Sequence, residues 1–96
     1  MKAKINVTLN DIKSGIPARP SSCPIARAIR RSKKLGNPTS VVVFGYAVIL
    51  DFFSDSARIK LPANASVFVM KFDGNKSGPN LPKPFTFVLD TEKVEQ

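Results

Sequence analysis

The stretch "CPIARAIRRSKKLG", residues 23–36, predicts the best-defined helix of the chain. Pro24 suits the first helical turn, because the N–H that proline lacks needs no partner there. Gly36 predicts the end of the helix, since glycine readily adopts the conformation that follows a helical terminus. We therefore expect a helix over residues 24–35.

The two faces of this helix differ in chemistry. Four residues spaced three and four apart form an inward stripe: Ile25, Ala28, Ile29 and Ser32. The outward side repeats this spacing with cations only, and Lys33 flanks them: Arg27, Arg30, Arg31 and Lys34. Such a face either tracks the phosphates of a nucleic acid or is the solvated side of an amphipathic helix.

Segments on both sides of the helix alternate or are rich in β-branched residues, which predicts strands. The predicted strands are 4–9, 40–52, 58–62 and 85–90. Gly45 indicates a bulge or bend within the second strand, or else two short strands that turn at Gly45 and Tyr46. Residues 64–75 fit a second helix better than a strand ending in the turn at Asp73 and Gly74.

The resulting order, β-α-β-β-α-β, predicts an α+β fold in a single domain over residues 1–96, with a frayed tail at 91–96. We expect one mostly antiparallel sheet with two helices on one face, and a ferredoxin-like split β-α-β arrangement as the simplest topology. The other face of the sheet would be open to solvent or to a partner. An edge strand could also pair with a second copy and form a homodimer.

Composition excludes several classes of function. The 96 residues include no His and one Cys, which removes Ser-His-Asp and Cys-His catalysis and the ordinary zinc sites. No phosphate-binding glycine loop occurs. We therefore predict no enzyme activity, no metal and no cofactor. The chain has no apolar run near 18 residues and no apolar block after its first basic residues, so we expect no membrane contact and a reducing, cytoplasmic setting.

The net charge of +8 is concentrated in one part of the chain. Residues 1–60 hold eleven basic residues against three acids, which gives +8, whereas residues 61–96 hold four of each, which gives zero. A field of one sign attracts polyanions or acidic protein surfaces. The sign and the asymmetry favour nucleic acid over protein as the partner.

Three phrases of the chain, in this order, carry a family resemblance: "SSCPIARAIRR", "LPANASVFVMKFDGN" and "PFTFVLD". Together they resemble a group of small uncharacterised proteins from tailed-phage or prophage genomes. The resemblance implies expression inside a bacterial host cell, but it implies no activity and no site. The chain departs from the group at Asn75, where the group more often has Gly.

We accordingly predict a small, basic, non-enzymatic phage accessory protein that binds nucleic acid through its cationic helix face. The candidate binding residues are Arg19, Arg27, Arg30, Arg31, Lys33, Lys34, Arg58 and Lys60. The alternative is a phage inhibitor that binds a host protein, such as a defence nuclease (an anti-CRISPR type of action) or a polymerase, and a small enzyme is a remote third.

Two further features have a structural and a functional interpretation. Four aromatic residues either pack in the core or stack nucleobases on an open sheet face: Phe44, Tyr46, Phe85 and Phe87. Ser22 or Cys23 can cap the basic helix, and Cys23 is either a small capping residue or a thiol activated by the helix terminus.

Overall fold

Five strands and three α-helices make up the part of the chain that the computed structural model describes, residues 2–16, 19–36, 38–74 and 83–92. The elements are β1 (Lys2–Val7), α1 (Leu9–Ser14), α2 (Pro24–Arg31), a 3₁₀ turn (Lys33–Leu35), β2 (Ser40–Val43), β3 (Ala47–Asp51), β4 (Ser56–Lys60), α3 (Ala63–Gly74) and β5 (Phe85–Asp90). The predicted α+β class is confirmed. The helix expected over residues 64–75 is confirmed as far as Gly74, and Asn75 lies outside the described residues.

Over the described residues the strands form two antiparallel sheets, which corrects the single sheet and the ferredoxin-like arrangement expected from the sequence. β1 pairs with β5, and β2, β3 and β4 form a meander. The reason lies in residues 40–52, which turn at Gly45 and Tyr46 and give two strands instead of one. The extra strand places β3 between β2 and β4 in a sheet of their own, and β1 pairs with β5 in the other sheet.

Helix α2 occupies the centre of the fold and packs against α1, β1 and β2. Three of its four predicted inward residues are buried, Ile25, Ala28 and Ile29, whereas Ser32 is half-buried and caps the end of the helix. The helix is shorter than expected: it ends at Arg31, and the chain continues as the 3₁₀ turn before Gly36, whose φ is +77°. A non-glycine side chain is rarely accommodated at such a φ, which explains the glycine.

Helix α3 is attached to β5 by aromatic rings. The ring of Phe68 stacks on Phe72 at a centroid distance of 6.1 Å and on Phe85 at 4.7 Å, and Phe85 in turn stacks on Phe87 at 5.7 Å. Phe72 and Phe87 are buried, so this run of rings joins the helix to the core of the protein.

Gly15 marks the closest approach between the segment after α1 and the start of α2. A Cβ atom at Gly15 would lie 2.6 Å from Cδ of Pro24 and 2.8 Å from its backbone nitrogen, whereas a Cβ at Gly45 would meet nothing within 4 Å. We expect Gly15→Ala to lower the free energy of unfolding by about 1–3 kcal/mol, because the backbone must move apart. Gly45→Ala is the matched control and should change it by less than about 0.5 kcal/mol. Urea unfolding followed by circular dichroism measures both, and equal midpoints for the two variants would contradict the close approach.

The predicted frayed tail at 91–96 falls only partly within the described residues: 91 and 92 form a turn, and 93–96 lie outside them. Among the described helices, none has both the length and the apolar character that crossing a membrane requires.

Candidate nucleic-acid interface

Helix α1 places a carboxylate beneath the basic helix. Thr8 and Asp11 form a capping box: the Thr8 N–H donates to Asp11 Oδ2 at 2.9 Å, and the Asp11 N–H donates to Thr8 Oγ1 at 3.2 Å. The Asp11 side chain is fully buried. The one sequence signal for this arrangement is the spacing of Thr8 and Asp11, which is typical of a helix start.

Asp11 forms ion pairs with two of the four arginine and lysine residues expected on the free face of the basic helix, and its single negative charge offsets one of their two positive charges. Arg31 donates from Nη1 to Oδ1 at 2.7 Å and from Nη2 to Oδ2 at 2.8 Å, and the same Nη2 donates to the Asn6 carbonyl at 2.9 Å. Arg27 Nε lies 3.7 Å from Asp11 Oδ1. The prediction that this cationic face is wholly free is therefore wrong, because Arg27 and Arg31 are turned towards a buried acid.

The ion pair shifts the pKa of both of its groups. Burial raises the pKa of Asp11, but the hydrogen bonds from Arg31 and Thr8 outweigh burial and hold that pKa below its usual value. The hydrogen bond to Asp11 raises the pKa of Arg31. Both groups are thus held in their charged forms by the fold itself.

The remaining predicted cations of this region are more open. Arg30 is exposed and donates to the Ser21 carbonyl. Lys34 is exposed but lies on the 3₁₀ turn and not on the α-helical face, because the helix has already ended. The side chain of Lys33 is outside what the structure describes. The basic helix therefore offers a smaller anion-binding surface than its sequence predicts.

The turn between β2 and β3 presents two aromatic rings. Phe44 is 39% exposed and Tyr46 is 55% exposed. The Arg58 guanidinium on β4 lies 5.5 Å from the Tyr46 ring centroid and 6.0 Å from that of Phe44, within the range of cation–π attraction. Arg58 Nη2 also donates to the Tyr46 hydroxyl at 2.9 Å. These contacts hold an arginine and two aromatic rings together at the surface.

Strand register explains why these side chains meet. Val42 pairs with Ile49 and Ile49 with Arg58, so this row lies across the outer face of the three-stranded sheet. Lys60 follows Arg58 by two residues and therefore points to the same face, where it is exposed. The inner face holds the buried residues Val41, Val43, Val48, Leu50 and Ile59.

Two concavities adjoin the exposed rings. One of about 180 Å³ is lined by Arg19, Phe44 and Asp73, among others. A groove of about 410 Å³ on the other side is lined by Tyr46, Lys60, Val88 and Asp90, among others. Three of the eight predicted binding residues thus gather around two exposed aromatics, and we call this surface the hairpin patch: Arg19, Phe44, Tyr46, Arg58 and Lys60.

The groove connects the hairpin patch to the outer face of the β1–β5 sheet. In that sheet Lys4 lies opposite Val88, and Lys2 lies opposite Asp90. Both lysines are exposed, so further cations lie next to the groove. Asp73 and Asp90 at the two rims offset part of this positive charge.

The other two candidate aromatic residues and the Cys23 thiol are part of the packed interior or of a helix cap. Phe87 is buried and Phe85 is half-buried in the ring stack, so neither faces the open surface. Cys23 is buried, its sulfur accepts the Ala26 N–H at 3.4 Å, and burial raises its pKa. This confirms the interpretation of Cys23 as the capping residue of α2, since an activated thiol needs a lowered pKa.

Comparison of the chain with protein-family models, with curated proteins and with solved structures gives no match.

Proposed function

We propose that this protein binds nucleic acid, without catalysing a reaction on it, through the hairpin patch. The observation that carries the proposal is the contact of Arg58 with Tyr46 and Phe44, both exposed, beside Lys60 on an open sheet face. Aromatic rings interleaved with cations on a sheet surface are the combination that binds bases and phosphates together. The region of α2 contributes less to this binding than its sequence predicts. Arg30 and, on the 3₁₀ turn, Lys34 are exposed, whereas Arg27 and Arg31 share the Asp11 carboxylate.

The expected binding is weak to moderate and without sequence preference. Each phosphate neutralised by a lysine or arginine releases a counterion, so the affinity falls steeply with salt. The hairpin patch contains no Asn or Gln of the kind that reads adenine edges in a groove, and the Arg58 guanidinium lies against two aromatic rings. We expect a Kd on the order of micromolar near physiological salt.

The biological setting that we propose is the one implied by the resemblance: a phage accessory protein that acts in the cytoplasm of a bacterial host. The high positive charge, the absence of His and the nucleic-acid surface are compatible with such a role. The phage origin itself stays a prediction.

Charge reversal within the patch tests the proposal. The double variant Arg19→Glu with Lys60→Glu removes two exposed cations of the patch, and Lys13→Glu with Lys71→Glu changes the net charge equally at two exposed lysines that line neither concavity. Fluorescence anisotropy with a labelled oligonucleotide between about 50 and 200 mM salt should show at least a tenfold loss for the first variant and a salt slope smaller by about 2. The control should keep the wild-type slope. Equal losses in both variants would show that only net charge matters.

The alternative, binding to a host protein, is favoured by a different observation. Phe53 is 99% exposed and Met70 is 70% exposed, and an exposed aromatic or methionine side chain is a residue type that is enriched in protein–protein interfaces. If the wild-type protein binds no nucleic acid even at low salt, the proposal fails. A pull-down from nuclease-treated bacterial lysate, with Phe53→Ala and Met70→Ala as comparison baits, would then identify a partner that depends on these side chains.

A further inference from the structure

The ring of Tyr46 is fixed in position and still accessible. Its hydroxyl accepts a hydrogen bond from Arg58, whose guanidinium lies 5.5 Å from the ring centroid. Even so, 55% of the residue is exposed. A ring that is already ordered loses little further conformational freedom when a planar group stacks on it.

We infer that the ligand of the hairpin patch is single-stranded and that one of its bases stacks on Tyr46. In a duplex the faces of the bases are covered by their neighbours in the stack, whereas an unpaired base can present its face to an aromatic side chain. Phe44 lies beside the same guanidinium and offers a second ring. This inference deepens the proposed function and rests on it.

The surroundings of Tyr46 suit a single strand of nucleic acid better than a duplex. Arg19 lies on the Phe44 side of the patch and Lys60 on the Tyr46 side, so cations flank the rings where the phosphates of a strand would pass. A duplex is usually bound by an element that enters a groove. The candidate for such an element, α2, has only eight residues and turns Arg27 and Arg31 towards Asp11.

Tyr46 provides its own spectroscopic signal. The chain contains one tyrosine and no tryptophan, so tyrosine fluorescence reports on this ring alone. The titration uses three ligands of equal length at low salt: oligothymidine, the same strand with abasic sites throughout, and a duplex. We expect oligothymidine to quench the tyrosine emission and to bind about tenfold or more tightly than the abasic strand. The abasic strand and the duplex should bind through charge alone and leave the emission largely unchanged.

Variants of Tyr46 distinguish a loss of base stacking from a loss of folding. Tyr46→Leu should lose about tenfold or more in affinity for oligothymidine, measured by anisotropy. Tyr46→Phe keeps the ring but loses the hydrogen bond from Arg58, so it should lose much less than Tyr46→Leu. Phe53→Ala is the control, because it removes another exposed aromatic, outside the patch, and should have no effect. Circular dichroism confirms that each variant is folded.

The experiments distinguish a failure of base stacking on Tyr46 from a failure of nucleic-acid binding as a whole. If all three ligands bind equally, and Tyr46→Leu binds them as the wild type does, stacking on Tyr46 is wrong while nucleic-acid binding stands. If none of the ligands binds at low salt, nucleic-acid binding itself is wrong, and the inference falls with it.

Discussion

Replacing Arg31 by alanine is expected to lower the free energy of unfolding by about 3 kcal/mol. The substitution leaves the fully buried Asp11 carboxylate without its two short hydrogen bonds, and only the Thr8 N–H and Arg27 Nε, at 3.7 Å, remain near it. The value is at the low end for breaking a buried ion pair, because the Arg31 side chain is half-exposed and screened by solvent. Urea unfolding near neutral pH measures the difference.

Arg30→Ala is the matched control for this substitution. Arg30 is the preceding residue on the same helix and is exposed, so its loss should change the free energy of unfolding far less. Arg31→Lys should fall between the two, since lysine keeps the charge but not the planar fork that contacts both carboxylate oxygens. Equal stabilities for the two alanine variants would show that the pair with Asp11 contributes nothing.

The pH dependence of the same pair has a definite sign. The folded protein holds the pKa of Asp11 below its usual value, so the ionised carboxylate favours the folded state. This stabilisation is complete above the unfolded pKa, which is about 4, and is lost as the pH falls from there through the folded pKa. The difference between the wild type and Arg31→Ala should therefore shrink as the pH falls below about 4, and a constant difference would contradict the assignment.

Phe68→Ala is expected to be the most damaging single substitution, lowering the free energy of unfolding by about 4 kcal/mol. It removes two ring contacts at once, with Phe72 and with Phe85, and leaves a cavity between α3 and β5. The whole stability of a domain of this size is on the order of 5–15 kcal/mol, so the variant should unfold at a much lower temperature or urea concentration.

Met70→Ala is the control on the same helix, because Met70 is 70% exposed and alanine is a good helix former. We expect its unfolding midpoint to stay near that of the wild type, and Phe68→Leu to fall between the two. If Phe68→Ala and Met70→Ala unfold alike, the ring stack does not hold α3 in place.

Much of the fold could be predicted from local pattern. The three- and four-residue spacing of Ile25, Ala28 and Ile29 locates α2, and alternation locates β1 and β5, since these signals depend only on neighbouring residues. The number of sheets could not be predicted, because a glycine in an apolar run is compatible with a bulge as well as with a turn. At Gly45 the turn gives two strands, and the sheet arrangement follows from it.

The arrangement of the candidate site could be predicted less well than the fold, for a physical reason. A basic residue in a sequence indicates a charge but not its partner, and Asp11 lies twenty residues before Arg31. The sequence therefore overstates the free charge of α2. Two long-range contacts that local periodicity does not contain place these side chains. The β3–β4 register brings Lys60 to the Tyr46 end of the sheet, and the Val43 N–H, which donates to the Pro20 carbonyl, holds the loop of Arg19 beside Phe44.

Backbone amide shifts on addition of an unlabelled single-stranded oligonucleotide show which surface of the protein it touches. With ¹⁵N-labelled protein at low salt, we predict that the largest changes fall on the hairpin patch, at Arg19, Phe44, Tyr46, Arg58 and Lys60, and that the amides of Arg27 and Arg31 move little. Changes centred on α2, or no changes at all, would contradict binding through the hairpin patch.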